Sequence, residues 1–182
     1  MGAGDGRFAL ARAIAHEREL VIAVDASRDA MRETSRRAER RGLRNVLFVV
    51  CSAEGMSPAM AGMTNQLVIH FPWGSLLRGV AGEPTLIARL AALVAPGGRV
   101  SLLLSAAARD GSRGLTVVDP VAIAHSWELL GFDVTTTRPA SLEDAIELHS
   151  SWGKRLLAAR GQGRSAWRIG LVRPPASNDR RG

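Results

Sequence analysis

Short apolar runs alternate along the chain with segments whose apolar residues recur at helical spacing. The runs LVIAVD, NVLFVV and NQLVIHF have strand length and many β-branched residues, which is typical of buried parallel strands. Ser27 is placed to cap the helix that follows the first run, and Gly42 to end it. The sequence APGG predicts a turn before a fourth strand. The predicted strands lie at 20–25, 45–50, 65–71 and 99–105, and the predicted helices at 8–16, 28–41 and 83–94.

The alternation continues to the last strand. A helix at 119–130 precedes the strand FDVTTTR, and Ser141 with Asp144 forms a capping box that opens a helix to about Ala159. The direction of FDVTTTR and of a last strand at 165–173 stays open, because a helix separates them. This order predicts an α/β fold, with a mostly parallel sheet and helices on both faces. We expect one domain over residues 1–173 and a disordered tail at 174–182.

Composition narrows the class of protein. With 182 residues, of which 46% are apolar and 23% charged, the chain has the size and balance of one globular domain. Its apolar runs are too short to span a membrane, so no membrane partner is expected. The single cysteine, Cys51, excludes an internal disulfide and a multi-cysteine zinc site, and it fits the reducing cytoplasm. We therefore expect a cytoplasmic monomer without a metal site.

The glycine cluster GAGDG at residues 2–6 precedes the first predicted helix. In doubly wound sheets such a loop lets a ligand approach the backbone at a helix N-terminus, and an acid about 20 residues later binds a ribose. Asp25 lies 19 residues after Gly6, at the end of a predicted strand. The dinucleotide fingerprint requires glycine where Arg7 stands, so the loop departs from it. The spacing favours a cofactor loop over a plain turn.

The segment HFPWGSLLRG (70–79) follows the third strand, where ligands bind in open α/β sheets. Enzymes that methylate nucleobase nitrogens carry a short proline-and-aromatic segment at this point. Its ring stacks on an extruded base. Phe71, Pro72 and Trp73 supply these parts. The alternative is a tryptophan that fills the core at the end of a strand.

These motifs resemble a known family. GAGDG followed by VD is similar to Rossmann-like methyltransferases that use S-adenosylmethionine. FPWGSLL, SSWGKRL (150–156), GLRNVLFVVCSAEG and RSAWRIG resemble the Kam-type aminoglycoside-resistance methyltransferases, over about residues 2–172. Members of that family methylate N1 of adenine 1408 in 16S rRNA. The resemblance implies S-adenosylmethionine as the cofactor, and as the partner the 30S ribosomal subunit around helix 44 of 16S rRNA.

The resemblance also implies roles for individual residues. Trp73 and Trp152 become the two walls that sandwich the flipped adenine, next to Phe71 and Pro72. The family usually has an apolar residue where His70 stands, and a neutral packed histidine is favoured over a catalytic one. Trp127 and Trp167 match no stacking motif and are expected in the core. The implied cofactor contacts are Gly2, Ala3, Gly4, Asp25, Ala26, Ala53, Glu54, Ser75 and Ser150.

Charge indicates the partner. The formal net charge is +7, and Lys154 is the only lysine among 24 basic residues. Four arginines with spacing i and i+4 predict a basic stripe on the second helix, suited to rRNA phosphates. A solvated face, partly neutralised by Glu33 and Glu39, is the alternative. The stripe comprises Arg36, Arg37, Arg40 and Arg41, and the resemblance adds Arg113, Lys154, Arg155 and Arg164 as ribosome contacts.

Two expectations concern what the chain does and how it begins. N1 of adenine has a free lone pair and no proton, so methyl transfer needs no general base.

The family normally precedes the glycine loop with a strand ending in Asp-apolar-Gly, and Met1 stands at the apolar place. We therefore expect that strand upstream of Met1 in the natural protein, and this chain to be truncated. The alternatives are a noncatalytic rRNA-binding remnant, or a methyltransferase for another RNA or a small molecule.

Overall fold

The computed structural model describes residues 1–106, 119–147 and 165–176. Within these residues, six strands and six α-helices follow one another largely in the predicted order. The strands are β1 (Val21–Asp25), β2 (Val46–Val50), β3 (Thr64–His70), β4 (Val94–Ala106), β5 (Asp133–Pro139) and β6 (Ser165–Val172). The helices are α1 (Arg7–Ala15), α2 (Arg28–Arg40), α3 (Gly74–Val80), α4 (Pro84–Leu93), α5 (Pro120–Glu128) and α6 (Leu142–Glu147).

The predicted helix caps are present. The Ser27 hydroxyl accepts a hydrogen bond from the Ala30 N–H at 3.3 Å, so it satisfies a donor at the start of α2. Gly42 follows the end of α2 with a φ of +65°, in the left-handed region that favours glycine. At α6 the capping box is reciprocal. Ser141 Oγ accepts from the Asp144 N–H at 3.3 Å, and the Asp144 carboxylate accepts from the Ser141 N–H at 2.6 Å.

The α/β fold class is confirmed, and the strands form two sheets. β1 and β2 are parallel neighbours, as are β3 and β4. β6 lies antiparallel between β4 and β5, which resolves the direction that the sequence left open. The four-stranded sheet therefore has the order β3-β4-β6-β5 and is mixed.

Residues 1–3 bridge the two sheets. The Ala3 N–H donates to the Val24 carbonyl of β1, and the Met1 amine donates to the Val68 carbonyl of β3, each at 2.9 Å. β1 and β3 thus flank one position, and residues 1–3 fill only the part of it next to the C-terminal ends of these strands.

Helices cover both faces of the sheets. One core lies between the four-stranded sheet and α3, α4 and α5, and includes the fully buried Trp127 and Ile169. A second core packs α1 and α2 against β1 and β2, through Leu10 and Met31. The half-buried His70 lies next to Ile69 on β3, points to the opposite face and contacts Phe8 of α1. No helix among the described residues is long and apolar enough to cross a membrane.

The structure differs from the predicted elements at two places, and two further predictions run beyond the described residues. The helix α3 was not predicted. β4 begins at Val94, earlier than predicted, so the turn predicted at APGG lies within this strand as a bulge. Val94 pairs with Thr64 and Arg99 with Gln66, and Gly97 between them has a φ of +77°. The helix predicted from Ser141 to about Ala159 is described only as far as Glu147, and its continuation lies outside the described residues. The disordered tail predicted at 174–182 is described only at 174–176, directly after β6.

Candidate active site

The glycine loop leads directly into α1. Gly2, Gly4 and Gly6 have φ values of +66°, +56° and +73°, which side-chain-bearing residues rarely adopt. A Cβ at Gly2 would lie 2.8 Å from Cδ2 of Leu76, so the Leu76 side chain would have to shift to admit one. A Cβ at Gly4 would meet nothing within 4 Å. The backbone at Gly4 is therefore open to the approach of a ligand.

Asp25 fixes this loop from the end of β1. Its Oδ2 accepts a hydrogen bond from the Gly4 N–H at 2.7 Å, and its Oδ1 accepts one from the Ser27 N–H at 2.8 Å. The half-buried carboxylate thus connects the glycine loop to the start of α2. Each carboxylate oxygen retains a further lone pair, so Asp25 can also accept hydrogen bonds from hydroxyl groups of a ligand. Ala26, the next residue, is exposed.

The loop after β2 lies beside the end of β1, because the Cys51 N–H donates to the Asp25 carbonyl at 2.9 Å. Within this loop Ala53 is buried and Glu54 is exposed. A hydrogen bond from the Ser75 hydroxyl holds the pKa of Glu54 below its ordinary value. Arg89 Nη1 donates to the backbone carbonyl of Glu54 at 2.8 Å and holds the loop against α4.

Helix α3 contacts two of the predicted cofactor residues. Leu76 of α3 lies against Gly2, and Ser75, one residue earlier, binds Glu54. The structure therefore brings these residues together at the C-terminal ends of β1, β2 and β3, except Ser150, which lies outside the described residues. An open cavity of about 470 Å³ adjoins Glu54 on the side of α3 and α4, and no residue of the glycine loop lines it.

The segment after β3 presents a large aromatic ring to solvent. Phe71 has a φ of +49°, unusual for a residue with a side chain, and its N–H donates to the Leu103 carbonyl at 2.6 Å. The Phe71 side chain packs against buried Leu103 and Ala140, and Pro72 is also buried. Trp73 is 79% exposed, directly before α3. This exposure is what base stacking needs and is opposite to a tryptophan that fills the core.

His70 is positioned as a neutral packing residue. Desolvation lowers its pKa to about 3, and the positive charges of the Met1 amine and Arg168 add to this effect. Its ring meets the Phe8 ring edge-on, with 5.3 Å between the centroids. The imidazole is therefore uncharged at neutral pH.

The predicted basic stripe lies on the outer face of α2. Arg36, Arg37, Arg40 and Arg41 are all exposed, whereas Met31, Thr34 and Ala38 of the same helix are buried. The stripe is thus available to a partner. Five further residues of the predicted site lie outside the described residues, namely Trp152, Arg113, Lys154, Arg155 and Arg164.

The buried carboxylate of Asp144 on α6 joins this helix to β5 and β6. The sequence predicted only its part in a helix cap. Arg138 of β5 and Arg168 of β6 are cross-strand partners, and both donate hydrogen bonds to Asp144, which is 3% exposed. Burial acts to raise the pKa of Asp144, but the bonds from Arg138, Ser141 and Arg168 outweigh it and hold that pKa well below its ordinary value. Only the strand register reveals that the two arginines meet.

Metal ligands do not cluster in the described part of the chain. Within residues 1–106, 119–147 and 165–176, no three histidine, cysteine, aspartate or glutamate side chains are grouped closely enough to hold a metal ion.

Comparisons with known proteins agree with these features. The NpmA family model, described as 16S rRNA (adenine(1408)-N(1))-methyltransferase, matches residues 1–169. A protein of that description from Streptoalloteichus hindustanus is 30% identical over 173 residues, covering 88% of this chain and 80% of the relative. One from Escherichia coli is 26% identical over 185 residues, covering 93% of this chain and 83% of the relative.

Solved structures give the same picture. The 16S rRNA methyltransferase KamB matches with a TM-score of 0.81 and 28% identity, over 96% of this chain and 86% of that one. A tryptophan-to-alanine variant of the 16S rRNA (adenine(1408)-N(1))-methyltransferase from Catenulisporales acidiphilia, solved with its cosubstrate SAM, matches with a TM-score of 0.78. Its identity is 27%, over 97% of this chain and 85% of that one.

Proposed function

The chain belongs to the family of 16S rRNA (adenine(1408)-N(1))-methyltransferases, and from this premise we propose how its residues perform that reaction. The enzyme methylates N1 of adenine 1408 in the 30S subunit, uses S-adenosylmethionine and confers aminoglycoside resistance. The observation that carries the proposal is the 79% exposed Trp73, on the segment that leads into α3, whose Ser75 and Leu76 contact the cofactor residues.

On the donor side, the residues present fit S-adenosylmethionine. The open backbone at Gly4 and the remaining lone pairs of Asp25 suit a ligand with a flexible polar end and ribose hydroxyls. When bound, the cofactor supplies a methyl group on a sulfonium ion. The proposed contacts are Gly2, Ala3, Gly4, Asp25, Ala26, Ala53, Glu54 and Ser75, together with Ser150.

On the acceptor side, the proposed role of Trp73 is to stack on the extruded adenine, with Trp152 as the second wall. Stacking contributes roughly 1–3 kcal/mol per base, which helps offset the few kcal/mol that unstacking costs. The product base is cationic, and the face of a tryptophan attracts a cation. Phe71 is half-buried against Leu103 and Ala140, and Pro72 is buried. Their proposed part is therefore to hold Trp73 in place.

The proposed reaction requires no proton acceptor. N1 of adenine attacks with a free lone pair, and the enzyme contributes by aligning it with the methyl group. The neutral and packed state of His70 supports this, because a histidine with a pKa of about 3 is a poor base at neutral pH.

The proposed rRNA-binding surface consists of the exposed arginines of α2, with Arg113, Lys154, Arg155 and Arg164 as further contacts. Arginine binds phosphate through two parallel hydrogen bonds, and such contacts position a protein without reading sequence. The support for it is the exposure of the stripe and the positive net charge. The proposed place of action is the cytoplasm, where 30S subunits are found, and the monomeric state stays a prediction.

The domain expected over residues 1–173 is proposed to include one further parallel strand between β1 and β3. The supporting observation is the position between their facing edges, where no strand lies among the described residues. Val24 and Val68 direct their carbonyls to it, and the alternation along a strand directs the backbone of Ile22 to the same side.

Hydrogen exchange tests for this strand. In the 182-residue chain, the Ile22 amide should exchange rapidly, whereas Ala23, which faces β2, should be protected. A chain carrying an upstream strand that ends in Asp-apolar-Gly should protect Ile22 and bind S-adenosylmethionine more tightly. Equal protection of Ile22 in both chains would contradict the proposal.

Primer extension on 16S rRNA tests the function. Purified 30S subunits are incubated with the protein, with and without S-adenosylmethionine. A methyl group on N1 blocks Watson–Crick pairing, so reverse transcriptase should stop at adenine 1408 only when cofactor is present. Absence of the stop would refute the proposal for this chain. Calorimetry with S-adenosylmethionine then identifies a noncatalytic remnant, which would bind 30S subunits but not the cofactor.

A further inference from the structure

Glu33 lies at the N-terminal end of the basic stripe on α2, three residues before Arg36. With 3.6 residues per helical turn, Glu33 projects from the same side as Arg37 and Arg40, and Arg36 and Arg41 flank this group. Glu33, like the four arginines, is exposed. A negative charge therefore occupies the surface proposed to face rRNA phosphates.

Glu33 binds two of the four arginines. Its Oε1 is 3.4 Å from Arg37 Nε and 3.3 Å from Arg40 Nη2, so a single oxygen serves both guanidinium groups. In contrast, Arg36 and Arg41 form no ion pair within the described part of the chain. The stripe thus consists of two arginines that form ion pairs with Glu33 and two that do not.

We propose that Glu33 limits the affinity of this surface for rRNA by holding Arg37 and Arg40 away from phosphate groups. The inference rests on the proposed function, since it concerns the same rRNA-binding surface. A phosphate that binds Arg37 or Arg40 competes with the Glu33 carboxylate for part of the guanidinium group and is repelled by its negative charge. Arg36 and Arg41 meet no such competition and make the first contacts.

Substitution of Glu33 by glutamine tests the proposal, and Glu39 provides the matched control. Both changes remove one negative charge from exposed positions on α2, but Glu39 forms no ion pair among the described residues. Glu33→Gln should tighten binding to 30S subunits by about two- to fivefold at low salt, the range expected for one exposed charge pair. Glu39→Gln should have a smaller effect.

Salt dependence provides a second measurement. When the carboxylate is gone, phosphates must neutralise guanidinium charge that Glu33 neutralised before. The slope of log affinity against log salt should therefore become steeper by about one for Glu33→Gln. In the same background, Arg37→Ala should weaken binding more than it does in the parent protein, because Arg37 has been released. Thermal unfolding and cofactor affinity should remain unchanged in all these variants.

The outcomes separate this proposal from the one on which it rests. If Glu33→Gln and Glu39→Gln bind 30S subunits equally well, the role of Glu33 is refuted even though the surface binds rRNA. If Arg36→Ala and Arg41→Ala leave binding unchanged, α2 is not the rRNA-binding surface and the proposed function loses that part. Tighter binding by Glu33→Gln alone, with a steeper salt slope, supports the proposal.

Discussion

Different kinds of contact hold the two proposed parts of the active site, namely the methyl-donor part around Gly4 and Asp25 and the methyl-acceptor part around Trp73. Hydrogen bonds from backbone N–H groups fix the donor part, since Ala3 donates to the Val24 carbonyl and Gly4 to the Asp25 carboxylate, both at the C-terminal end of β1. Side-chain packing and an unusual backbone conformation at Phe71 fix the acceptor part, which leaves Trp73 exposed. Contacts of such different kinds should respond separately to substitution. Cofactor affinity and methyl transfer can therefore be changed independently.

The largest expected effect concerns the support of the acceptor part. Asp144→Ala removes the buried carboxylate that accepts hydrogen bonds from Arg138 and Arg168, which lie opposite each other in the β5–β6 ladder. Arg168 also pairs with Leu103, against which Phe71 packs. Asp144 also forms the capping box of α6, and loss of several charge-assisted hydrogen bonds at once costs about 3 kcal/mol of unfolding free energy. Urea unfolding measures this change. A loss below about 1 kcal/mol would show that the arginines are well solvated without Asp144.

The same carboxylate gives a pH dependence with a definite sign. Because the pKa of Asp144 is lowered in the folded state, its contribution to stability is present at neutral pH. The contribution decreases as the pH falls below about 4, where the unfolded chain takes up the proton first. Asp144→Asn should reduce this acid sensitivity, which unfolding curves between neutral and acid pH can measure.

A smaller effect is expected from Trp73→Ala, which directly tests the separation of the two parts. Loss of stacking should raise the free-energy barrier to methyl transfer by up to about 3 kcal/mol, which slows the reaction roughly 100-fold. Affinity for S-adenosylmethionine should not change, and Trp73→Phe should retain part of the activity because a ring remains. Single-turnover methylation and calorimetry provide the two measurements. Equal losses in methylation rate and in affinity for S-adenosylmethionine would show that Trp73 supports the cofactor site and not base stacking.

Asp25→Ala should produce the opposite pattern. It removes the acceptor for the Gly4 and Ser27 N–H groups, and hydrogen bonds to a charged group contribute about 1.5–3 kcal/mol each. We expect affinity for S-adenosylmethionine to fall roughly 10- to 100-fold, the equivalent of one such hydrogen bond, with 30S binding unchanged. Asp29→Ala is the control, because Asp29 forms only an exposed ion pair with Arg32. An unchanged cofactor affinity in Asp25→Ala would contradict the proposed role.

The smallest effect is expected where the two parts meet. Ser75→Ala removes the hydrogen bond to Glu54, so the pKa of Glu54 should rise towards its ordinary value. Cofactor affinity should fall about two- to fivefold, which corresponds to one exposed hydrogen bond. Ser75→Thr retains the hydroxyl and should behave like the parent protein. If Ser75→Thr is as weak as Ser75→Ala, the contact is steric and not a hydrogen bond.

The sequence predicted those features that depend on local chemistry. The cap at Ser27, the end of α2 at Gly42 and the box formed by Ser141 and Asp144 each follow from residues within one turn of a helix. The alternation of apolar runs and helices predicted the α/β fold class. Trp127 was expected in the core, and it is fully buried.

Features that depend on the arrangement of distant segments were not predictable. Helix α3 has only seven residues and starts after Trp73, whose side chain makes no capping hydrogen bond, so it carries no start signal. The pairing of Arg138 with Arg168 follows from the antiparallel position of β6, which pattern alone does not determine. In the same way, the exposure of Trp73 depends on the conformation of Phe71, which periodicity does not reveal.

The position of β6 also determines when the enzyme can finish folding. Among the described strands, β6 is the last one synthesised, yet it lies inside the four-stranded sheet and is the neighbour of both β4 and β5. Until β6 leaves the ribosome, β5 has no partner strand and one edge of β4 is open to pairing with other chains. Such late, long-range pairing slows folding. An enzyme that modifies ribosomes therefore completes this sheet only after a ribosome has synthesised β6.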